Sequence, residues 1–395
     1  MHDTTFAIDS LDALHLAFRD SAGYWEDYRS GEDAVRTDRF EFKPGWQTVY
    51  ARYVEAPLVK VKLTDGTAGW GEANCPIGPE VACLIAQEII LPMARGREFG
   101  HPLELWDFLY DAQRGRGYSS GYYLDAMAAI DIAIWDALGR RAGLPVAAML
   151  SGSPRMDIPA YLSGVRRATL EERVEHVNRW IGTGLRGAKI FLTGDVDAGL
   201  RELDGLRAGA PDLEQWMVDT LWMCSHEDAK KGKAAFGDRG VRFFECPLQP
   251  EDIRGHRDLS SAPGAPIALG EHFRTGYQLE PWLQEPAALD VYQPDIGRTG
   301  ISDGLRQMEM ASAAGIPTTP HMGSGVSVFQ AATLQFAALA SPEYLQEFQG
   351  GLSDKLGDAA DTAWKYNAGA FRLPDRAGIG AEVDESGIDR FIVRR

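Results

Sequence analysis

Three carboxylates, Asp219, Glu245 and Glu271, recur at intervals of 26 residues, and Asp295 and His321 extend the series by 24 and 26. Carboxylates are hard oxygen ligands. Three that converge suit Mg²⁺, which takes octahedral oxygen coordination and keeps positions open for water or substrate. A zinc site would draw on more nitrogen or sulfur. His321 is the natural general base, because imidazole titrates near neutrality. Asp295, one interval earlier, is placed to accept a hydrogen bond from the second ring nitrogen and so fix the tautomer. Lys189 lies in the apolar run Ala188-Lys189-Ile190-Phe191 and must face a rim or an anion, since a buried unpaired ammonium is costly. Glu347 closes the last apolar run and is placed to bind substrate from the side opposite the metal.

Spacing of this kind demands a repeated unit. A strand, a helix and two short loops consume about 25 to 30 residues, so each interval reads as one strand-helix step. All five members except Asp295 close a short apolar run, such as Trp216-Met217-Val218 before Asp219 or Phe243-Phe244 before Glu245. In a parallel barrel the C-terminal strand ends form one rim, where residues distant in sequence meet. Adding Ile158 to Leu162, Gly187 to Phe191 and Tyr344 to Gln346 brings the strand count to eight. Ser225 with Asp228 resembles a capping box, and Val326 to Leu339 is mostly apolar and unbroken, both consistent with intervening helices.

The first part of the chain is organised differently. Val59, Val61 and Leu63 alternate with Lys60 and Lys62 ahead of Asp65-Gly66, the signature of a hairpin. Tyr122 to Arg141 carries a helical apolar stripe, terminated by Arg140, Arg141, Gly143 and Pro145. Gly152 and Pro154 mark a boundary. The expected architecture is therefore an α+β domain over residues 1–152, a barrel over 153–365 and a C-terminal segment, 366–395, returning to the first domain. Residues 21–46 show no regular pattern but hold Tyr24, Trp25, Tyr28 and Arg29, aromatic and basic residues fit for a substrate-selecting lid.

Composition narrows the function. The chain has 395 residues, 57 of them acidic and 40 basic, for a formal charge of −17. Such a surface repels nucleic acid and anionic membranes, so neither is an expected partner, and an anionic substrate would need local positive charge. The start MHDTTFAIDS lacks signal-peptide features and no stretch of 18 apolar residues occurs, which makes a cytoplasmic protein the expectation. Cys75, Cys83, Cys224 and Cys246 show no CxxC spacing, so a thiolate metal site or a disulfide framework is not expected.

Several stretches, AAIDIAIWDALGRRAGLPV, GLRGAKIF, WMVD, FFECP, IALGEHF, YQPDIGRTGIS, PTTPH and RAGIGAEVDE, together resemble the enolase superfamily in its mandelate racemase-like branch. The resemblance covers nearly the whole chain. It implies an α/β fold, a modified TIM barrel, (β/α)7β, with an N-terminal α+β capping domain, and a homo-oligomeric enzyme. It also implies Mg²⁺ on Asp219, Glu245 and Glu271, a His321-Asp295 dyad, and Lys189 and Glu347 contacting the substrate carboxylate or developing enolate. The shared step is removal of the proton alpha to a carboxylate. The run Gly270-Glu271-His272-Phe273 is similar to that of sugar-acid dehydratases and puts His272 near the pocket. Tyr24, Trp25 and Arg29 then become candidate substrate contacts.

Two positions depart from the family pattern. Where the branch carries a second, basic lysine after Lys189 this chain has Phe191, and where an Asn or His follows the first metal ligand it has Leu221. One evident base remains, His321. A single base fits elimination better than two-base racemisation, and acting alone it would serve both proton transfers on one face. The expected function is a Mg²⁺-dependent dehydratase of a small anionic sugar acid, aldonate or aldarate, forming a 2-keto-3-deoxy acid. The alternatives are a cycloisomerase or epimerase on the same site and a metal-binding protein that has lost catalysis.

Overall fold

Alternating apolar residues draw the first segments into an antiparallel sheet. Strand β1 (Phe6–Phe18) is followed by three short strands, β2 (Val35–Arg36), β3 (Phe40–Lys43) and β4 (Thr48–Ala51), and then by the hairpin β5 (Val54–Leu63) and β6 (Ala68–Glu72). With β7 (Glu98–Phe99) the main sheet has the order β6-β5-β1-β7, while β2, β3 and β4 form a separate sheet of their own. The computed structural model describes residues 3–21, 23–25, 28, 35–350 and 360–393. Of the pair Asp65-Gly66 only Gly66 takes a positive φ, 92°, and the turn closes through Gly66 N–H to Leu63 C=O and Leu63 N–H to Thr67 C=O. A single left-handed residue after a type I turn suffices for this loop.

The helix Tyr122–Ala142 lies flat on β6. Gly69 and Gly71 permit that contact: a Cβ on either would fall 2.2 Å from Ala133 O or 1.9 Å from Ala129 O. The helix stops at Gly143, which adopts φ 68°, the left-handed conformation that favours glycine. Its two ends thus match the sequence pattern to within one residue.

Seven parallel strands follow: β8 (Asp157–Ser163), β9 (Gly187–Phe191), β10 (Gln215–Asp219), β11 (Phe244–Glu245), β12 (Ile267–Leu269), β13 (Val291–Tyr292) and β14 (Gln346–Phe348). Pairing runs from β8 in order to β13, and β14 returns to β8. The remaining barrel position is filled by Pro317–His321, which meets β13 and its extension only through bridges at Tyr292 with Thr318 and Asp295 with His321. Pro317 and Pro320 carry no N–H, so a continuous ladder is not available there. The last strand begins at Gln346, where pairing with Ala160 starts, two residues after Tyr344. Tyr161, Met217, Phe243, Ala268, Val291, Tyr344 and Leu345 fill the barrel interior.

Ser225 Oγ caps its helix by accepting from Asp228 N–H, but the Asp228 carboxylate accepts from the Ser225 hydroxyl rather than from the Ser225 backbone N–H. Further along, the apolar segment forms the helix Val328–Ala337. Strands β15 (Ala360–Thr362), β16 (Lys365–Asn367), β17 (Ala370–Arg372) and β18 (Ala381–Val383) follow, and then a short helix, Glu385–Ile388. Strand β17 pairs with the start of β8, after which Ile379 N–H bonds Asp136 of the capping helix and Val393 N–H bonds His15 C=O. The result is an α/β protein with an N-terminal capping domain and a barrel-type C-terminal domain. Among the described residues no helix is long and apolar enough to cross a membrane, and all four cysteines are buried free thiols.

Candidate active site

Parallel pairing puts the carboxylates side by side. Asp219 ends β10 and Glu245 ends β11, and the two are direct partners across the ladder, with Phe191 facing Asp219 from β9. Glu271 follows β12 by way of Gly270, whose φ is 140° and where a Cβ would come within 2.7 Å of the Tyr292 ring. The backbone after these acids is unusual. Leu221, Trp222 and Cys246 all adopt positive φ, of 50°, 67° and 47°. Such conformations cost roughly 1 to 3 kcal/mol each for side chains of this kind and cluster at functional sites. At Leu221 the turn lets its N–H bond Asp219 Oδ1 at 2.8 Å.

Lys189 is the buried cation among these groups, 2.6 Å from Glu245 Oε1, 3.0 Å from Glu347 Oε1 and 3.8 Å from Asp219 Oδ2. Burial works against its charge, but Glu245 and Glu347 outweigh it and hold the ammonium well above the usual lysine range. Glu347 also accepts from Ser163 Oγ at 2.5 Å and Met322 N–H at 2.7 Å. The cost of a lysine inside an apolar strand is thereby offset by paired anions.

His321 sits between two acids. Its Nδ1 is 2.7 Å from Asp295 Oδ2 and its Nε2 is 3.0 Å from Glu271 Oε2, with Glu347 Oε2 at 3.9 Å. Burial pulls the imidazole pKa down, yet Glu271, Glu347 and Asp295 together raise it to about 9. Asp295 in turn accepts a 2.5 Å bond from Asn74 Nδ2, a residue of the capping domain. Arg298 adds a bond to the Glu271 carbonyl at 2.7 Å.

Asp219, Glu245, Glu271, Glu347 and Asp295 thus face three cations, Lys189, Arg298 and protonated His321. The acids outnumber the basic groups by two, and burial followed by the Glu245 charge pushes the Asp219 carboxyl well up, as expected of an acid short of positive charge. A divalent cation with a preference for oxygen fits that surplus and that donor set. Asp219, Glu245 and Cys246 offer ligand atoms within 4.8 Å of one another; Glu271 lies outside this group, its carboxylate turned to His321.

Above the acids opens a cavity of about 490 Å³, lined among others by Lys189, Asp219, Glu271, His321 and Arg298. Glu245 and Glu347 lie buried beneath it. Its roof comes from the capping domain. Trp25 stacks on Trp46 at 4.1 Å and meets Phe191 edge-on at 5.1 Å, and the Tyr28 hydroxyl donates to the Phe191 carbonyl at 2.8 Å. Tyr24 and Trp25 line the cavity. Arg29 lies outside the described residues. His272 is not a lining residue; it packs against Phe273 at 4.1 Å and edge-on against Trp222 at 4.8 Å, and burial, with Arg298 next, lowers its pKa to about 3.

Sequence patterns alone did not single out Asn74, Arg298 or the pair Arg274-Asp125, which joins the cavity wall to the capping helix at 2.7 Å. Arg298 stands in the quoted stretch YQPDIGRTGIS, a signal that was present. Asn74, alone after a strand, gives none.

Comparison with known proteins places this geometry in context. Residues 172–387 match the family model described as enolase C-terminal domain-like, and residues 34–151 match that of the mandelate racemase / muconate lactonizing enzyme N-terminal domain. The chain is 28% identical over 354 residues to D-galactarolactone cycloisomerase of Agrobacterium fabrum, covering 85% of this chain and 90% of that protein. It is 23% identical over 347 residues to arabinonate dehydratase of Saccharolobus solfataricus, covering 86% and 91%. A crystal structure of a member of the enolase superfamily from Agrobacterium tumefaciens superposes with a TM-score of 0.89 at 29% identity, covering 99% of this chain and 100% of that one.

Proposed function

The chain belongs to the enolase superfamily, in its mandelate racemase branch, and we propose that it is a Mg²⁺-dependent dehydratase converting a sugar acid, an aldonate or aldarate, to a 2-keto-3-deoxy acid. The observation that carries this reading is His321 at the cavity wall, oriented by Asp295, with Phe191 where a second base would stand. Asp219, Glu245 and Glu271 would hold the metal. Bound there, Mg²⁺ supplies Lewis-acid stabilisation of carboxylate charge.

The protein's own groups do the rest. Lys189 holds a fixed positive charge at the cavity floor, lowering the cost of the charge that builds on the substrate as its alpha proton leaves. With Glu271 engaged by the metal, His321 would lose the largest charge that raises its pKa, and the neutral imidazole then takes that proton through Nε2. Asp295, held in place by Asn74, keeps Nδ1 protonated and the ring aimed. The aromatic roof of Trp25, Trp46 and Phe191 limits access of water to the reacting carbon. The arginines and Lys189 explain how an acidic, cytoplasmic enzyme attracts an anion, and a homo-oligomer is the expected assembly.

A second reading, cycloisomerase, is favoured by the 28% identical galactarolactone enzyme. The same proton abstraction would then expel an internal leaving group. Screening the protein with Mg²⁺ against aldonates, aldarates and their lactones separates the two. Release of a 2-keto acid from an open-chain acid, read with a carbonyl reagent, supports the dehydratase; conversion of lactones alone supports the cycloisomerase; inertness towards all of them removes both.

A further inference from the structure

Elimination of a hydroxyl needs two proton transfers, one off the alpha carbon and one onto the leaving oxygen. The barrel supplies His321 for the first. On the far side of the same cavity the capping domain presents Tyr24. Tyr24 packs over β9, beside Phe191 at 6.1 Å, whereas His321 stands next to β13; going round the rim, β8 and β14 separate the two.

The Tyr24 ring is fixed without help from its hydroxyl. It lies parallel to Tyr50 at 6.3 Å and 4°, meets Trp25 edge-on at 5.1 Å, and carries the Arg166 guanidinium over its face at 4.5 Å. Among the described residues the hydroxyl has no hydrogen-bond partner, so it is available to a ligand. Arg166 is itself unusual. It is only 3% exposed, bonds the neutral Gln349 Oε1 at 3.2 Å, and has no carboxylate partner among the described residues. A buried guanidinium paired with a phenol ring instead of an acid favours the phenolate that forms when the phenol gives up its proton. Burial, followed by the opposed influences of Arg166 and Glu347, sets the Tyr24 pKa at about 12, so the proton is present at neutral pH.

We propose that Tyr24 is the second proton-transfer group of this site, a general acid that protonates the departing β-hydroxyl from the Phe191 side while His321 removes the alpha proton from the other. The proposal rests on the dehydratase reading. In the step, the alpha C–H pair moves into a carbon-carbon double bond, the β C–O bond breaks, and the leaving oxygen takes the Tyr24 proton to depart as water. The enol becomes the 2-keto acid by taking a proton from solvent at the β carbon and releasing its own hydroxyl proton to solvent. Tyr24 phenolate recovers its proton from solvent and His321 releases the one it took. One active base in the barrel then needs no second role, and the course becomes two-sided rather than confined to one face.

Tyr24→Phe tests this, since it removes an oxygen with no protein partner and leaves the ring contacts in place. The expected result is a fall in kcat of about 10²-fold or more with little change in KM, while exchange of the substrate alpha proton with solvent deuterium continues. A 3-deoxy-3-fluoro analogue, whose fluoride leaves without a proton, should restore turnover in the variant. Wild-type kcat in Tyr24→Phe, or parallel loss of exchange and elimination without rescue by the fluoro analogue, overturns the role of Tyr24. Wild-type protein that dehydrates no sugar acid overturns the dehydratase reading itself, a result read before the variant is made.

Discussion

Asn74, at the end of the capping hairpin, donates a 2.5 Å hydrogen bond to Oδ2 of Asp295, the same oxygen that meets His321 Nδ1. The proposed acid-base pair of the barrel is therefore held in part by the other domain. Backbone contact reinforces the link, since Asn74 N–H bonds Gly297 C=O at 2.9 Å.

Replacing Asn74 with Ala should free Asp295 to rotate and cost a hydrogen bond to a charged group, worth roughly 1.5 to 3 kcal/mol. The expected outcome is a kcat lowered by about 10- to 100-fold with KM nearly unchanged. Steady-state kinetics give the split; a rise in KM at constant kcat would instead assign Asn74 to substrate binding.

The carboxylate surplus predicts that Mg²⁺ stabilises the fold. Saturating Mg²⁺ should raise the melting temperature of the wild type, by the amount that follows from about 2.7 kcal/mol at a hundredfold excess over Kd. Asp219→Asn should respond far less, and chelator should return the wild type to its metal-free value. Differential scanning calorimetry in matched buffers reads all three.

Arg39 bridges Glu55 and Glu80, with bonds of 2.5 to 2.9 Å, and so ties the β2-β3-β4 sheet to the capping sheet. For Glu80 the Arg39 hydrogen bond is the largest influence; for Glu55 burial acts upward but His15 and Arg39 prevail, and both acids fall to about 2. Depressed acid pKa values contribute stability that is complete above the unfolded-state value of about 4.5 and lost as pH falls towards 2. Arg39→Met should therefore lie furthest below wild type above pH 5 and approach it near pH 2 to 3. Melting curves across that range check the convergence.

Much of the active-site half of the molecule was legible because a strand-helix repeat imprints its length on the sequence: equal spacing places Asp219 beside Glu245 in the ladder. The helix Tyr122–Ala142 was legible from its apolar stripe and its glycine stop. What escaped had no period to read. Strands β2, β3 and β4 have two to four residues, too few for an alternation to register, so the roof looked irregular. Asn74 reaches Asp295 across 221 residues of chain, a contact only the docking of two domains creates. His272 follows Glu271 directly, but its ring packs against Trp222 and Phe273.

The measurement that bears most directly on the account is turnover by His321→Asn, assayed with Mg²⁺ on whichever sugar acid the wild type dehydrates. The side chain changes little in size and the Mg²⁺-dependent gain in melting temperature serves as the control for an intact site. The account predicts loss of 2-keto acid formation by about 10³-fold or more, together with loss of alpha-proton exchange. Full turnover in His321→Asn would contradict it.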